Sequence, residues 1–293
     1  MHPFDIRLIR LLARDPRRTY QNLADHLDCS RATVRKHVQE LMRAGALSIT
    51  ALAHPYTRGL RVAAELLIDT DLPSAEVAAS LLDRAYASTA SAQGMVTVSA
   101  WCGDDEELIG LADHLRGMDG VRGVEVFRVV HLLRSPLPTP IRFDLATDEI
   151  DHRLMRLLAH VPRAPYTRLG DQVGLTQTAA RTRVLRLQST GALRLQATTW
   201  NPDLRVTALR VGVSVNSPAL AVARDLLRLP GLTYLAVGHG HHDILAHLTT
   251  TGGESALRRK IHAMPGVSRL HVWHRSPTPY DHLALLDLPG KAL

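Results

Sequence analysis

Leu8, Leu11 and Leu12 recur at spacings of three and four, which predicts a helix with one apolar stripe. Pro16 ends it, and a second short helix is expected from Tyr20 to Leu27, with Thr19 placed to cap it. After the turn "DCS", Ser30 can cap a third helix, "RATVRKHVQELMRAG". That helix puts Val34, Val38, Leu41 and Met42 on one face and stops at Gly45. The pattern then changes period. "ALSITALAHP" is strand-like, and "AAELLID", "AEVAASLLDRAY", "STASAQ", "MVTVSAWC", "DEELIGLADHLRGM" and "VRGVEVFRVVHLL" follow in the order βαββαβ.

From Asp151 the pattern starts again. "DHRLMRLLAH", a short helix around Arg168 to Val173, the turn "GL" and "TQTAARTRVLRLQSTG" repeat the three helices, with Thr176 as cap and Gly191 as stop. "ALRLQATTWNP", "TALRVGVSV", "PALAVARDLLRL", "GLTYLAV", "HDILAHLTT", "ESALRRKIHAM" and "GVSRLHVWHR" repeat the rest. Setting residue n against n+146 matches 18 of the 43 positions from Asp5 to Leu47 without a gap. The same offset pairs Gly94 with Gly240, Leu111 with Leu257, Met118 with Met264 and Gly120 with Gly266. The chain is therefore a tandem duplication of a two-part unit.

The expected fold class is α+β, with two winged-helix (helix-turn-helix) domains alternating with two ferredoxin-like βαββαβ domains. The expected boundaries are 1–60 and 148–206 for the helical domains and 61–134 and 207–276 for the ferredoxin-like ones. A proline-bearing linker, 135–147, separates the copies, and a tail follows from 277 to 293.

Composition changes this picture in three ways. Only two cysteines, Cys29 and Cys102, occur, far apart, which argues against a disulfide scaffold or a zinc finger. No apolar run is long enough to span a bilayer, and the charged N-terminal pattern does not suit a signal peptide, so a cytoplasmic protein without a membrane partner is expected. The net charge of +7 is unevenly spread: +5 over residues 1–60, −6 over 61–146, +4 over 147–206 and +4 over 207–293. Both helical parts are basic, as a polyanion-binding surface requires.

Three helices with a tight turn before the last form a helix-turn-helix, which lays its third helix in the DNA major groove. The candidate contacts are Arg31, Thr33, Arg35, Lys36 and His37 in the first copy, and Gln177, Thr178, Arg181, Thr182 and Arg183 in the second. A plain bundle with a solvated basic face would show the same charges once. Two basic copies favour double-stranded DNA as partner.

With these segments in place, the chain resembles the Lrp/AsnC family of leucine-responsive transcription regulators. The likeness is carried by "LLARDPRRTYQNLADHLDCSRATVRKHVQELMRAGAL", its second copy, and the βαββαβ units with their glycine-containing turn. The resemblance implies a sequence-specific DNA-binding regulator whose ferredoxin-like (RAM-type) domains dimerise and sense a small effector, commonly an amino acid. Here it implies a fused dimer that pairs within one chain, with further homo-oligomers, and no enzymatic activity or fixed cofactor. The oppositely charged ferredoxin-like parts are expected to attract each other.

The stretch "VGHGHHDILAHL" carries the candidate effector turn. Gly238 and Gly240 are expected to supply positive φ and a close approach to ligand. His242 stands where the family often has an aromatic residue, and Asp243 would accept from an ammonium group. The first copy has "QGMVT" there, so one half-site is competent and one degenerate.

Two rival readings share these residues. A metal-responsive regulator would use the histidine-rich loop, with His239 and His241 projecting together. No tetrahedral ligand set is complete in the sequence, and His271 and His274 fall on opposite strand faces, so no metal site is assigned. Sirohaem decarboxylases share the two-part architecture, but their pattern is richer in aromatic, Asn and Arg residues. No nucleophile–base pair is visible here.

Overall fold

The computed structural model describes residues 2–73, 76, 77, 80, 86–92, 95–135, 146–199, 207–250 and 253–275. The first copy contributes α1 (Pro3–Arg14), α2 (Tyr20–Leu27), α3 (Arg31–Arg43), β1 (Leu47–Ala53), β2 (Val62–Thr70), β3 (Tyr86–Ala92), β4 (Met95–Cys102), α4 (Asp105–Arg116) and β5 (Val121–Arg134). The second contributes α5 (Glu149–His160), α6 (Tyr166–Val173), α7 (Gln177–Ser189), β6 (Leu193–Thr199), β7 (Thr207–Val215), α8 (Ala219–Leu226), β8 (Leu232–His239), β9 (Ile244–Thr250), α9 (Glu254–His262) and β10 (Val267–Arg275). Most of the expected helix "AEVAASLLDRAY", most of the linker and all of the tail fall outside the described residues.

Two compact units result, and each takes its parts from both copies: Met1–His54 with Pro140–Leu204, and Pro55–Thr139 with Arg205–Leu293.

The helical unit is built about an internal two-fold. Strands β1 and β6 pair antiparallel, with Leu47 opposite Thr199, Thr50 opposite Gln196 and Ala53 opposite Leu193. Thr50 and Gln196 are equivalent positions of the repeat, so the two-fold runs between them, as in an isologous interface. Leu8, Leu12, Leu23, Leu27, Val34 and Val38 form the first copy's core, and Ala197 of the second copy packs against it. Each third helix stops on a glycine in the left-handed region, Gly45 (φ 69°) and Gly191 (φ 80°).

A reciprocal clasp adds to the strands. Arg17 donates to the carbonyls of Pro162 (2.7 Å) and Ala164 (2.6 Å) and lies 4.4 Å over the Tyr166 ring. Arg163 donates to Pro16 (2.6 Å) and Arg18 (2.7 Å) and lies 4.7 Å over Tyr20. Every partner is the repeat equivalent of its counterpart. This gives Tyr20 and Tyr166 their role, that of cation–π platforms.

The sheet unit joins two ferredoxin-like halves. Strand order is β10-β7-β9-β8-β5-β2-β4-β3, antiparallel throughout. The halves meet where β5 of the first copy pairs with β8 of the second. Alternate side chains of each strand face the helices: Leu66, Ile68, Val96 and Val98 pack with Leu108 and Leu111 in one half. Leu209, Val211, Val213, Ile244 and Ala246 pack with Val222, Leu226 and Ile261 in the other. The opposite sheet face carries Ala63, Phe127, Val129, Ala236 and Leu245, a core shared by both copies. Pairing of the ferredoxin-like parts within one chain, expected from their charges, therefore occurs through backbone ladder and apolar contact. Among the described residues, no helix is long and apolar enough to cross a membrane.

Candidate nucleic-acid interface and histidine cluster

The start of each third helix is capped as expected: Ser30 Oγ accepts the Thr33 N–H at 3.0 Å, and Thr176 Oγ1 accepts the Ala179 N–H at 3.2 Å. Seven of the ten candidate DNA contacts are exposed there: Arg31, Arg35, Lys36, Gln177, Thr178, Arg181 and Thr182. Lys36 reaches Glu40, at 3.9 Å, both exposed, a pairing worth little in water.

The other three are turned inward to varying degrees. Thr33 is half-buried, its hydroxyl 2.8 Å from Ser30. His37 Nδ1 lies 2.8 Å from the Asp5 carboxylate, and its ring packs on Phe4 at 4.6 Å. Arg183, its repeat equivalent, donates to Asp148 (2.7 Å) and Asp151 (3.0 Å), and Arg186 also engages Asp151. The Asp151 side chain is 1% exposed. The Asp151 N–H, then Arg183, holds the Asp148 carboxyl below the usual carboxylate range. His37 and Arg183 thus pin the third helix to the first, because their position faces back across the bundle. The helical period alone put them on the outer face.

On the inner face of the sheet unit, Glu65 on β2 and Arg210 on β7 form an ion pair at 3.1 Å, with side chains 3% and 2% exposed. One partner comes from each copy. Nearby, the rings of Tyr234 and His247 stack at 4.6 Å. The sequence held no signal for this pair, since a single Glu and a single Arg in strand-like runs are usually solvated.

The candidate effector turn is arranged differently from expectation. Gly240 has the expected positive φ (159°), and Gly238 does not. Their lack of a side chain serves strand approach: a Cβ on Gly238 would meet the Arg128 carbonyl oxygen at 2.0 Å, and one on Gly240 would meet that of Val126 at 2.6 Å. Both therefore let β8 close on the other copy's β5. The Asp243 carboxylate accepts the Val215 N–H at 2.8 Å, and its own N–H donates to Val213.

His242 is 4% exposed and packs over Gly212, where a Cβ would stand 2.4 Å from its ring. His241, His242 and His271 gather here, with ring centroids 4.8 Å (His241–His242), 4.9 Å (His242–His271) and 5.7 Å (His241–His271) apart. Their nearest nitrogens lie within 4.8 Å of one another, so the three are candidates to hold a metal ion. Trp273 closes one side, 5.5 Å from His242. Burial, then the neighbouring His271 and His241, lowers the His242 pKa to about 4. The sequence placed His239 beside His241; in the structure His239 is exposed at the end of β8, and His271 on β10 completes the group. The relevant signal is the ladder that sets Gly212 on β7 opposite His271 on β10, a long-range pairing no local pattern reveals. His274 points elsewhere, to Glu254 at 2.5 Å.

Duplicated winged helix-turn-helix parts together with paired ferredoxin-like sheets define the class. An AsnC-type helix-turn-helix model matches residues 148–188, and a winged helix-turn-helix DNA-binding model matches residues 1–47. Both helical parts are thus similar to helix-turn-helix DNA-binding domains, the second of them to the AsnC type. Uncharacterised helix-turn-helix transcriptional regulators of Pyrococcus abyssi and Pyrococcus horikoshii are each 30% identical over 105 residues, which is 35% of this chain. The match takes in 66% of each relative, just short of two thirds. The fold is similar over 93% of this chain, and 91% of the other, to the crystal structure of the siroheme decarboxylase NirDL, with TM-score 0.64 and 15% identity.

Proposed function

We propose that this protein is a sequence-specific DNA-binding transcription regulator that reads two half-sites with one chain. The observation that carries this reading is that both third helices, in a unit whose two copies are clasped through Arg17 and Arg163, present exposed polar groups at their capped ends. Arg35 and Arg181, at equivalent positions, are the first choices for base or phosphate contact. Arg31, Lys36, Gln177, Thr178 and Thr182 flank them. Thr33, His37 and Arg183 act by holding the helices in place. Since the two outer faces differ, the operator should be an imperfect palindrome.

The domain limits 1–60, 61–134, 148–206 and 207–276 remain our division of the chain into reading and responding parts. The response is assigned to the second sheet half, around Gly238, Gly240, His242 and Asp243. An amino-acid effector would share the Asp243 carboxylate with the Val215 N–H. Selection of binding sites from a random duplex library, followed by titration at increasing salt, tests the proposal. Enrichment of paired half-sites and an affinity that falls steeply with salt are expected. No enrichment and no salt dependence would refute it.

One observation favours a second reading, the architectural likeness to a siroheme decarboxylase across both copies. Mass spectrometry of sirohaem incubated with the protein decides it: loss of carbon dioxide supports an enzyme, and unchanged sirohaem opposes it.

A further inference from the structure

A histidine ring in a protein interior normally donates from one nitrogen and accepts at the other. His242 does neither: both ring nitrogens are buried and have no hydrogen-bond partner. Leaving a buried polar group unpartnered costs roughly 1–3 kcal/mol. Gly212 is the residue that makes room for this ring, because any side chain there would collide with it. A plain core position would be filled more favourably by Leu or Phe. The ring is kept for something its nitrogens can bind.

The neighbouring rings point to what that is. Three imidazoles on one tetrahedral ion, with Zn–N near 2.1 Å, have centroids roughly 5 Å apart. The observed separations are 4.8, 4.9 and 5.7 Å. Binding requires the nitrogens, now within 4.8 Å, to close to roughly 3.4 Å, the edge of such a tetrahedron. His241 is the exposed member and can swing in, while His242 and His271 are seated. Of the charged groups nearby, Arg210 opposes positive charge at His242 while paired with Glu65, and Asp243 favours it.

We propose that His241, His242 and His271 form a binding site for one borderline divalent transition-metal ion, Zn2+, Ni2+ or Cu2+, and that this ion, in place of an amino acid, is the effector of the regulator. A group made of imidazoles alone among the described residues selects such ions over Mg2+ or Ca2+, which take oxygen ligands. Three protein ligands leave a fourth position open at the His241 side, which keeps the site reversible. The first copy has Val96 in the repeat position of His242 and Glu125 in that of His271, so one ion per chain is expected. The effector role rests on the DNA-binding reading; the site itself does not.

The test uses the full-length protein, first stripped with chelator. Calorimetric titration with Zn2+ should give one ion per chain, and Co2+ should give the visible absorption of a four-coordinate ion. His242→Ala and His271→Ala should each weaken binding at least tenfold, His241→Ala less, and His239→Ala not at all. Circular dichroism and thermal melting verify that each variant is folded. Absent binding, or binding equally strong in folded His242→Ala and His271→Ala, overturns the site. Duplex affinity is then measured with and without Zn2+. Metal binding with unchanged duplex affinity overturns the effector role alone, and a chain that binds metal but no duplex in either state overturns the regulator reading while the site stands.

Discussion

The two units pair the same two copies by opposite means. In the helical unit the pairing is symmetric: Arg17 and Arg163 exchange identical contacts, and β1 meets β6 about equivalent residues. In the sheet unit it is not: Glu65 of one copy faces Arg210 of the other, and among the described residues the histidine cluster occurs in one half. On the proposed reading, a part that matches a two-fold duplex gains from keeping both copies alike, and a part that responds to a signal needs one good site, which frees its second copy to become a structural partner.

The largest effect should come from breaking the asymmetric pair. Glu65→Leu strands a buried guanidinium and should destabilise the protein by about 3–5 kcal/mol, with much of that recovered in Glu65→Leu/Arg210→Met. Denaturant melts of the two single variants and the double variant measure this coupling. No coupling in that cycle would mean the contrast between the units is misdrawn.

Acid titration sharpens the contrast within the helical unit. His54, at the end of β1, is buried and its N–H donates to Ala192; burial alone lowers its pKa from 6.5 to about 4. The second copy has Trp200 at that position. Above pH 6.5 the ring is neutral in both folded and unfolded chains. As the pH falls through that value the unfolded chain takes up a proton that the folded chain refuses, so stability is lost down to about pH 4. The loss is about 3 kcal/mol, at about 1.4 kcal/mol per pH unit. Melting of His54→Leu against the parent between pH 7 and 4 should show a shallower acid slope.

Next comes the clasp. Arg17→Ala and Arg163→Ala should each cost about 2 kcal/mol, from two charged hydrogen bonds and a cation–π contact, and by nearly the same amount. Unequal losses in thermal melts would break the symmetry claimed here.

The smallest effects on stability, and the most telling for function, are expected at Arg35 and Arg181. Each change to Ala should leave the melting temperature unchanged and weaken duplex binding about tenfold, measured by fluorescence anisotropy. His37→Ala should instead lower stability, because its ring bridges Asp5 and Phe4.

How much of this was legible beforehand follows the range of the interactions. The helices, their caps at Thr19, Ser30 and Thr176, and the stops at Gly45 and Gly191 are local matters, and the sequence carries them. The repeat offset carried the duplication and the βαββαβ order. The failures were long-range. Arg183 was placed outside because only the fold brings Asp148 and Asp151 to it. Gly238 was assigned a turn, while its reason is the Arg128 carbonyl of another copy's strand. Arg17 and Arg163 did leave a trace, an identical arginine between a proline and a tyrosine in both copies. The role of that trace became readable only when the copies were set face to face.

Thr50 lying opposite Gln196 across the two-fold has a further consequence. Independent subunits come apart on dilution and swap partners with related proteins in the same cell. Here the two helix-turn-helix parts are tethered by covalent chain, so their pairing does not fade at low copy number, and neither can be traded for a foreign one.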